Sequence, residues 1–222
     1  SPANPQGVCA DRAYWQTLLE LADRHDFRVF ADECYSEIYR GDAPIGALQV
    51  ASEIGADPER LVCFHSLSKR SNLAGLRSGF AVTGPENRKR LLQMRSYVGA
   101  PLPIPAQHAA AACWADEEHV DANRALYREK YAIADDVLGN APGYSAPDAG
   151  FFLWVDVGDG EAAAVKLWQE AGVRALPGAY LSRPVAEELG GGDPGTQYLR
   201  LALVAPAADV RRGLEAVREV LL

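Results

Sequence analysis

At 222 residues, with 48% apolar and 23% charged residues, the chain has the composition of a folded protein that buries a substantial core, as one large or two small domains. A formal net charge of −8 argues against nucleic acid or an anionic membrane as the main partner. No apolar run reaches the length of a membrane span, and Cys9, Cys34, Cys63 and Cys113 form no Cys-x-x-Cys pair, which points to reduced thiols in a cytoplasm and to neither zinc nor disulfides.

The chain starts at Ser1 without a methionine and runs straight into Asn4-Pro5-Gln6-Gly7, a turn by composition, so the expectation is a fragment whose N-terminal part precedes Ser1. Asp11 to His25 follows with helical spacing of Tyr14, Leu18, Leu19, Leu21 and Ala22, Asp11 standing as N-cap. Phe27 to Ala31 reads as a short strand that ends in Asp32-Glu33-Cys34-Tyr35. Helix then strand recurs at Ala47 to Ile54 and Leu61 to Phe64, and the alternation predicts βα units in a largely parallel sheet. Phe80 to Gly84 is a further strand and Glu86 to Tyr97 a helix. Three prolines make a rigid loop of Gly99 to Pro105. Residues 106–138 are mostly helical with a break near Asp116, and the second, charged part is long enough to bridge two lobes. Beyond Gly143, Phe151 to Val157, Val173 to Leu176 and Tyr198 to Leu203 are strands, with helices over Gly160 to Ala171 and Ala207 to Leu222. This α+β character places a lobe boundary inside the long helix, dividing the chain into 1–118 and 119–222.

Chemistry concentrates at His65-Ser66-Leu67-Ser68-Lys69-Arg70 and at Gly75-Leu76-Arg77-Ser78-Gly79. A phosphate takes hydroxyl and backbone N–H donors at close range plus a guanidinium. A lysine beside such an anion, on a rigid strand end, can condense with a carbonyl cofactor. Taken alone, the stretch reads more simply as a basic surface loop. Asp32 ends a strand on the side where open α/β sheets bind ligands, and a carboxylate there would hold a proton on a pyridine nitrogen. His25, His65, His108 and His119 lack metal-ligand spacing, so no metal is expected, although His65 adjoins Ser66. Asp116-Glu117-Glu118 reads as a solvated helix start.

Together these segments resemble a known family. Asn4-Pro5-x-Gly7, Asp32-x-x-Tyr35, Ser66-x-Ser68-Lys69, Gly75-Leu76-Arg77-x-Gly79 and a late Arg200 in a strand match class I/II aminotransferases in order and spacing. Asp32 to Tyr39 and Ser68 to Asn72 are similar to the proteobacterial N-succinyldiaminopimelate aminotransferases. The resemblance implies an α/β fold, the pyridoxal-phosphate (PLP) dependent transferase fold type I, represented by the C-terminal part of its large domain and a small α+β C-terminal domain. It implies PLP as cofactor, held covalently by Lys69, with Asp32 on the ring nitrogen and Asn4 and Tyr35 on the phenolic oxygen. Ser66, Ser68 and Arg77 would grip the phosphate, and Asn4 and Arg200 would bind the substrate, Arg200 clamping its α-carboxylate. It also implies amino-acid and 2-oxo-acid substrates, a homodimer with shared active sites, and a proline loop at 99–105 reaching toward the partner subunit. Phosphate-loop and ring-stacking residues would precede Ser1, so the fragment by itself is expected to be inactive. Three alternatives stay open: an aspartate or aromatic aminotransferase, a PLP-dependent C–S lyase, and an aminotransferase-like sensing domain of a transcription regulator.

Overall fold

The computed structural model describes residues 1–99 and 101–222, so Ala100 of the expected proline loop lies outside the described residues. The chain divides into two compact units, residues 1–2 with 8–124 and residues 3–7 with 125–222.

The first unit opens with helix α1, Arg12–Arg24. Asp11 caps it by accepting from the Tyr14 N–H at 2.7 Å, which satisfies one of the donors a helix start leaves unpaired. Strand β1, Val29–Asp32, helix α2, Ala47–Ile54, and strand β2, Leu61–Ser66, follow in the expected order. Trp15, Leu19 and Ala22 of α1, Val50 and Ala51 of α2, and Val29, Ala31, Leu61 and Cys63 of the strands form one buried cluster. Removing this apolar surface from water is the main force holding the layers together. A four-residue turn of helix α3, Leu67–Arg70, leads through a short 3₁₀ segment at Ala74–Leu76 to strand β3, Gly79–Thr83. Helices α4, Pro85–Tyr97, and α5, Ile104–Ala115, complete this part.

The sheet order is β1-β2-β3, with β1 and β2 parallel and β2 and β3 antiparallel. The sheet is therefore mixed, where the alternation predicted a largely parallel one. Parallel pairing needs a crossover of a dozen or more residues, usually carrying a helix across the sheet. The connection from β2 to β3 is of about that length but holds only two single turns and no helix that could cross the sheet, and β3 pairs antiparallel. A second difference concerns the proline stretch: Ile104 and Pro105 belong to α5, because a proline in the first helical turn forfeits only an N–H that has no intrahelical partner.

Helix α6, Glu118–Leu138, continues from the first unit into the second. There strand β4, Phe152–Asp156, helix α7, Gly160–Ala171, strand β5, Leu176–Pro177, strand β6, Tyr198–Ala202, and helix α8, Ala207–Leu221, build a three-stranded antiparallel sheet of order β4-β6-β5 with α7 and α8 packed on each other. Leu153 and Val155 pair with Leu201 and Leu199 and are buried, while Phe152, Trp154 and Arg200 alternate onto the other face. Of the strand expected over Val173 to Leu176, only Leu176 pairs, together with Pro177, which has no N–H with which to extend the ladder. Among the described residues no helix is long and apolar enough to cross a membrane, and no group of His, Cys, Asp and Glu is arranged to hold a metal.

Candidate active site

In the first unit the residues singled out above gather at the carboxyl ends of β1 and β2. Asp32 is the last residue of β1 and stands opposite Phe64 of β2, two residues before Ser66. Its carboxylate accepts from the Cys34 N–H at 3.0 Å, a turn that fixes the direction of the loop carrying Tyr35. The Lys69 ammonium lies 5.6 Å from the centre of the Tyr35 ring. Cys34 reports on both charges. Burial pushes its thiol up to about 12, the Asp32 carboxylate adds to the shift, and the Lys69 ammonium opposes it.

The hydroxyl pair is equally local. Ser66 caps α3 by accepting from the Ser68 N–H at 3.1 Å; its Oγ lies 3.0 Å from Ser68 Oγ and 3.2 Å from the Ser78 carbonyl oxygen, to which it donates. Arg77 adopts the left-handed region at φ +56° and donates through Nη1 to the Ala74 carbonyl at 2.7 Å. A non-glycine residue held there carries backbone strain, which concentrates where function demands a particular side-chain direction. Gly79 of the same motif has a steric reason: a Cβ on it would come within 2.5 Å of the His65 carbonyl oxygen, across the β2–β3 pairing. Ser66, Ser68, Arg77, Cys34, His65 and Phe80 line an open cavity of about 700 Å³. Asp32, Tyr35 and Lys69 are not in its walls.

Asn4 and Arg200 meet in the second unit. Arg200 sits on β6 opposite Trp154 of β4, with its guanidinium 4.2 Å from the centre of the Phe152 ring, and its Nη1 donates to Asn4 Oδ1 at 3.1 Å. The turn that presents Asn4 is held by Gly7, at φ +72°, whose carbonyl accepts from the Asp148 and Ala149 N–H groups at 3.0 Å each. A Cβ on Gly7 would lie 2.5 Å from Pro147 Cβ, so the Asn-Pro-x-Gly motif closes on glycine for want of space. The eight residues thus fall into a group of six in one unit and a pair in the other.

Some contributors escaped the sequence reading. Arg70, one half of what passes for a basic surface pair, is only 4% exposed. Its guanidinium donates to the Cys113 carbonyl at 2.8 Å, pairs with Glu117 and lies 5.1 Å from the Trp114 ring. Glu33 is 5% exposed and accepts from the Ala47 N–H at 2.7 Å, with His65 Nε2 3.5 Å away. Asp116-Glu117-Glu118 is exposed at the start of α6, as expected of a solvated helix start, and Asp116 in addition accepts from the Glu118 N–H and lies 2.7 Å from His119 Nδ1, a contact that holds the Asp116 carboxyl below the ordinary range. No local pattern marks these residues, because their partners stand apart from them in sequence or depend on how the chain turns.

The donor set suits PLP. Two hydroxyls and a guanidinium around one cavity match a phosphate ester, and a carboxylate at the end of β1 and an amine in the turn that follows β2 match a pyridine nitrogen and an aldehyde. Comparison with known proteins agrees. Residues 1–217 match the family model described as aminotransferase class I and II. A 4-dedimethylamino-4-oxo-anhydrotetracycline transaminase, OxyQ of Streptomyces rimosus, is 32% identical over 98% of this chain and 57% of its own length. A crystal structure of an aminotransferase from Neisseria meningitidis superposes with a TM-score of 0.93 at 41% identity, covering 100% of this chain and 56% of that one. A protein described as probable N-succinyldiaminopimelate aminotransferase from Thermus thermophilus superposes with a TM-score of 0.83 at 26% identity, over 99% and 57% of the two chains. The chain therefore spans about half the length of the relatives it matches.

Proposed function

The chain belongs to the class I and II aminotransferases, and from that premise we propose that the whole protein is a PLP-dependent transaminase. It would move an amino group from a donor amino acid, glutamate in the preferred reading, to a 2-oxo acid or aldehyde-type acceptor. N-succinyl-2-amino-6-oxopimelate, an intermediate of lysine and diaminopimelate synthesis, is the preferred acceptor, supported by the local likeness at Asp32 to Tyr39 and by the Thermus relative. The observation that carries the reading is the placement of Asp32, Ser66, Ser68 and Lys69 at adjacent strand ends, with the Lys69 ammonium 5.6 Å from the centre of the Tyr35 ring.

PLP, when bound, supplies an electron sink for negative charge developing at the substrate α-carbon. The protein's residues do the remaining work. Lys69 would hold the cofactor and then, as a free amine, move the proton at the substrate α-carbon. Asp32 would keep a proton on the ring nitrogen, since an anion beside that nitrogen favours its charged form. Ser66, Ser68 and Arg77 would anchor the phosphate, and Tyr35 and Asn4 would donate to the phenolic oxygen. Arg200 would clamp the substrate carboxylate through two parallel N–H···O bonds, a geometry lysine lacks. A homodimer sharing its active sites belongs to the same reading.

The test uses full-length protein with glutamate as donor. Lys69→Ala is expected to lower turnover by a factor of about 10⁴ or more while substrate still binds, as befits loss of the group that carries the proton. Turnover within about tenfold of wild type would show that another residue does this work. Release of ammonia and pyruvate from cystathionine would instead make the protein a C–S lyase.

A further inference from the structure

The first turns of α6 tie down both loops that carry the cofactor-contacting groups. Arg124 donates through Nε to the Glu37 carbonyl at 3.1 Å and through Nη2 to the Glu37 carboxylate at 2.8 Å, and its guanidinium lies 4.4 Å from the Tyr39 ring centre. Its remaining arm, Nη1, reaches Asp121 at 2.6 Å. Glu37 and Tyr39 stand on the irregular loop that begins at Asp32 and includes Tyr35. One residue earlier on the helix, buried Asn123 accepts from Asn72 Nδ2 at 2.8 Å. One turn further back, His119 Nε2 lies 2.8 Å from Ser71 Oγ, with Nδ1 turned to Asp116. Arg70 completes the set through Cys113 and Glu117. The three residues that follow Lys69 are therefore each bonded to the segment 113–123.

We propose that Arg124, Asn123 and His119 are positioning residues: α6 braces the Asp32–Tyr39 loop and the Lys69–Asn72 turn in a fixed register, and so sets the reach of Lys69 toward the bound cofactor. The inference rests on the transaminase reading above. Its physical basis is that an irregular loop takes its geometry from side-chain ties, and that a reacting group displaced by about 1 Å costs on the order of a hundredfold in rate. The planar fork of Arg124 meets a backbone and a side-chain acceptor of one residue, a third acceptor on Asp121 and the Tyr39 ring in one fixed geometry, which a lysine ammonium does not reproduce. Asn123 needs only to accept, so aspartate can replace it and leucine cannot.

The experiment compares full-length wild type with Arg124→Gln, Arg124→Lys, Asn123→Leu and Asn123→Asp, and with Arg211→Gln as control. Arg211 pairs with Asp136 at the far end of the same helix, at 2.8 Å, so its loss loosens α6 without touching either loop. Three quantities are read: the PLP dissociation constant, the pH midpoint of the cofactor absorption band, and hydrogen exchange of residues 33–46 and 69–77 with and without PLP. Arg124→Gln, Arg124→Lys and Asn123→Leu are expected to weaken PLP about tenfold, move the midpoint and speed exchange in their own loop about tenfold. Asn123→Asp and Arg211→Gln should leave all three at wild-type values. The brace is overturned if Arg124→Gln folds with wild-type affinity, midpoint and exchange, or if Arg211→Gln reproduces its effects. Should wild type itself take up no PLP, the transaminase reading fails, and exchange in the protein without PLP still decides whether the brace exists.

Discussion

Cys34 follows the end of β1 and Cys63 lies buried within β2, and both thiols are pushed up from 9.0 to about 12, chiefly by burial. For Cys63 the nearby Glu33 carboxylate adds to the shift. Only the thiolate is a nucleophile, so both cysteines should resist iodoacetamide at about pH 8 in the folded protein and react once it is unfolded. The linkage has a definite sign. A thiol raised in the folded state favours folding below the unfolded value near 9, and that contribution is lost as pH rises from 9 toward 12. Unfolding at increasing pH should therefore ease across that window in wild type and less so in Cys34→Ala, and rapid alkylation of native Cys34 would contradict the account. At this scale the sequence was readable where residue type and spacing carry the chemistry, as at Lys69, Asp32 and Ser66. It was silent where distance along the chain hides the partner. Arg70 reads as one more surface cation until Cys113 and Glu117, more than forty residues on, close over it.

Among the elements, α2 shows how a strand end and a helix start are fastened together. Gly46 caps it without a side chain, and the first N–H is taken instead by the Glu33 carboxylate, which arrives from the end of β1. A Cβ on Gly46 would lie 3.1 Å from Glu33 Oε2, so glycine there leaves room for that carboxylate. Glu33→Ala removes the acceptor and leaves a buried N–H unpaired, at a cost of about 2 kcal/mol, whereas Glu33→Gln keeps an acceptor and should cost less than about half as much. Urea unfolding of the variants reads the difference, and equal losses would assign the effect to charge alone. Helix positions followed from periodicity and capping, with α1, α2 and α7 nearly to the residue, because amphipathic spacing and a local cap suffice to define a helix. Strand pairing did not. Nothing in Gly79 to Thr83 says that it runs antiparallel to β2; the connection between them carries only the single turns at Leu67–Arg70 and Ala74–Leu76, with no helix long enough to cross the sheet, and residue type alone does not show that those turns stay short.

For the molecule as a whole, order along the chain revealed the family before any contact was known, since five short motifs in register are far more specific than any one of them. Each unit buries its own apolar face, and α6 belongs to both. What could not be read is the pairing of distant groups, Arg200 with Asn4 across 196 residues and Arg124 with Glu37 across 87, because such contacts depend on sheet register and helix direction together. The central claim is that Lys69 is the residue that carries the cofactor. Borohydride reduction of the full-length protein with PLP, followed by peptide mass spectrometry, tests it directly. The account predicts a stable phosphopyridoxyl group on the peptide containing Lys69 and on no other lysine. Its appearance on a different lysine, or on none while the protein transaminates, would contradict it.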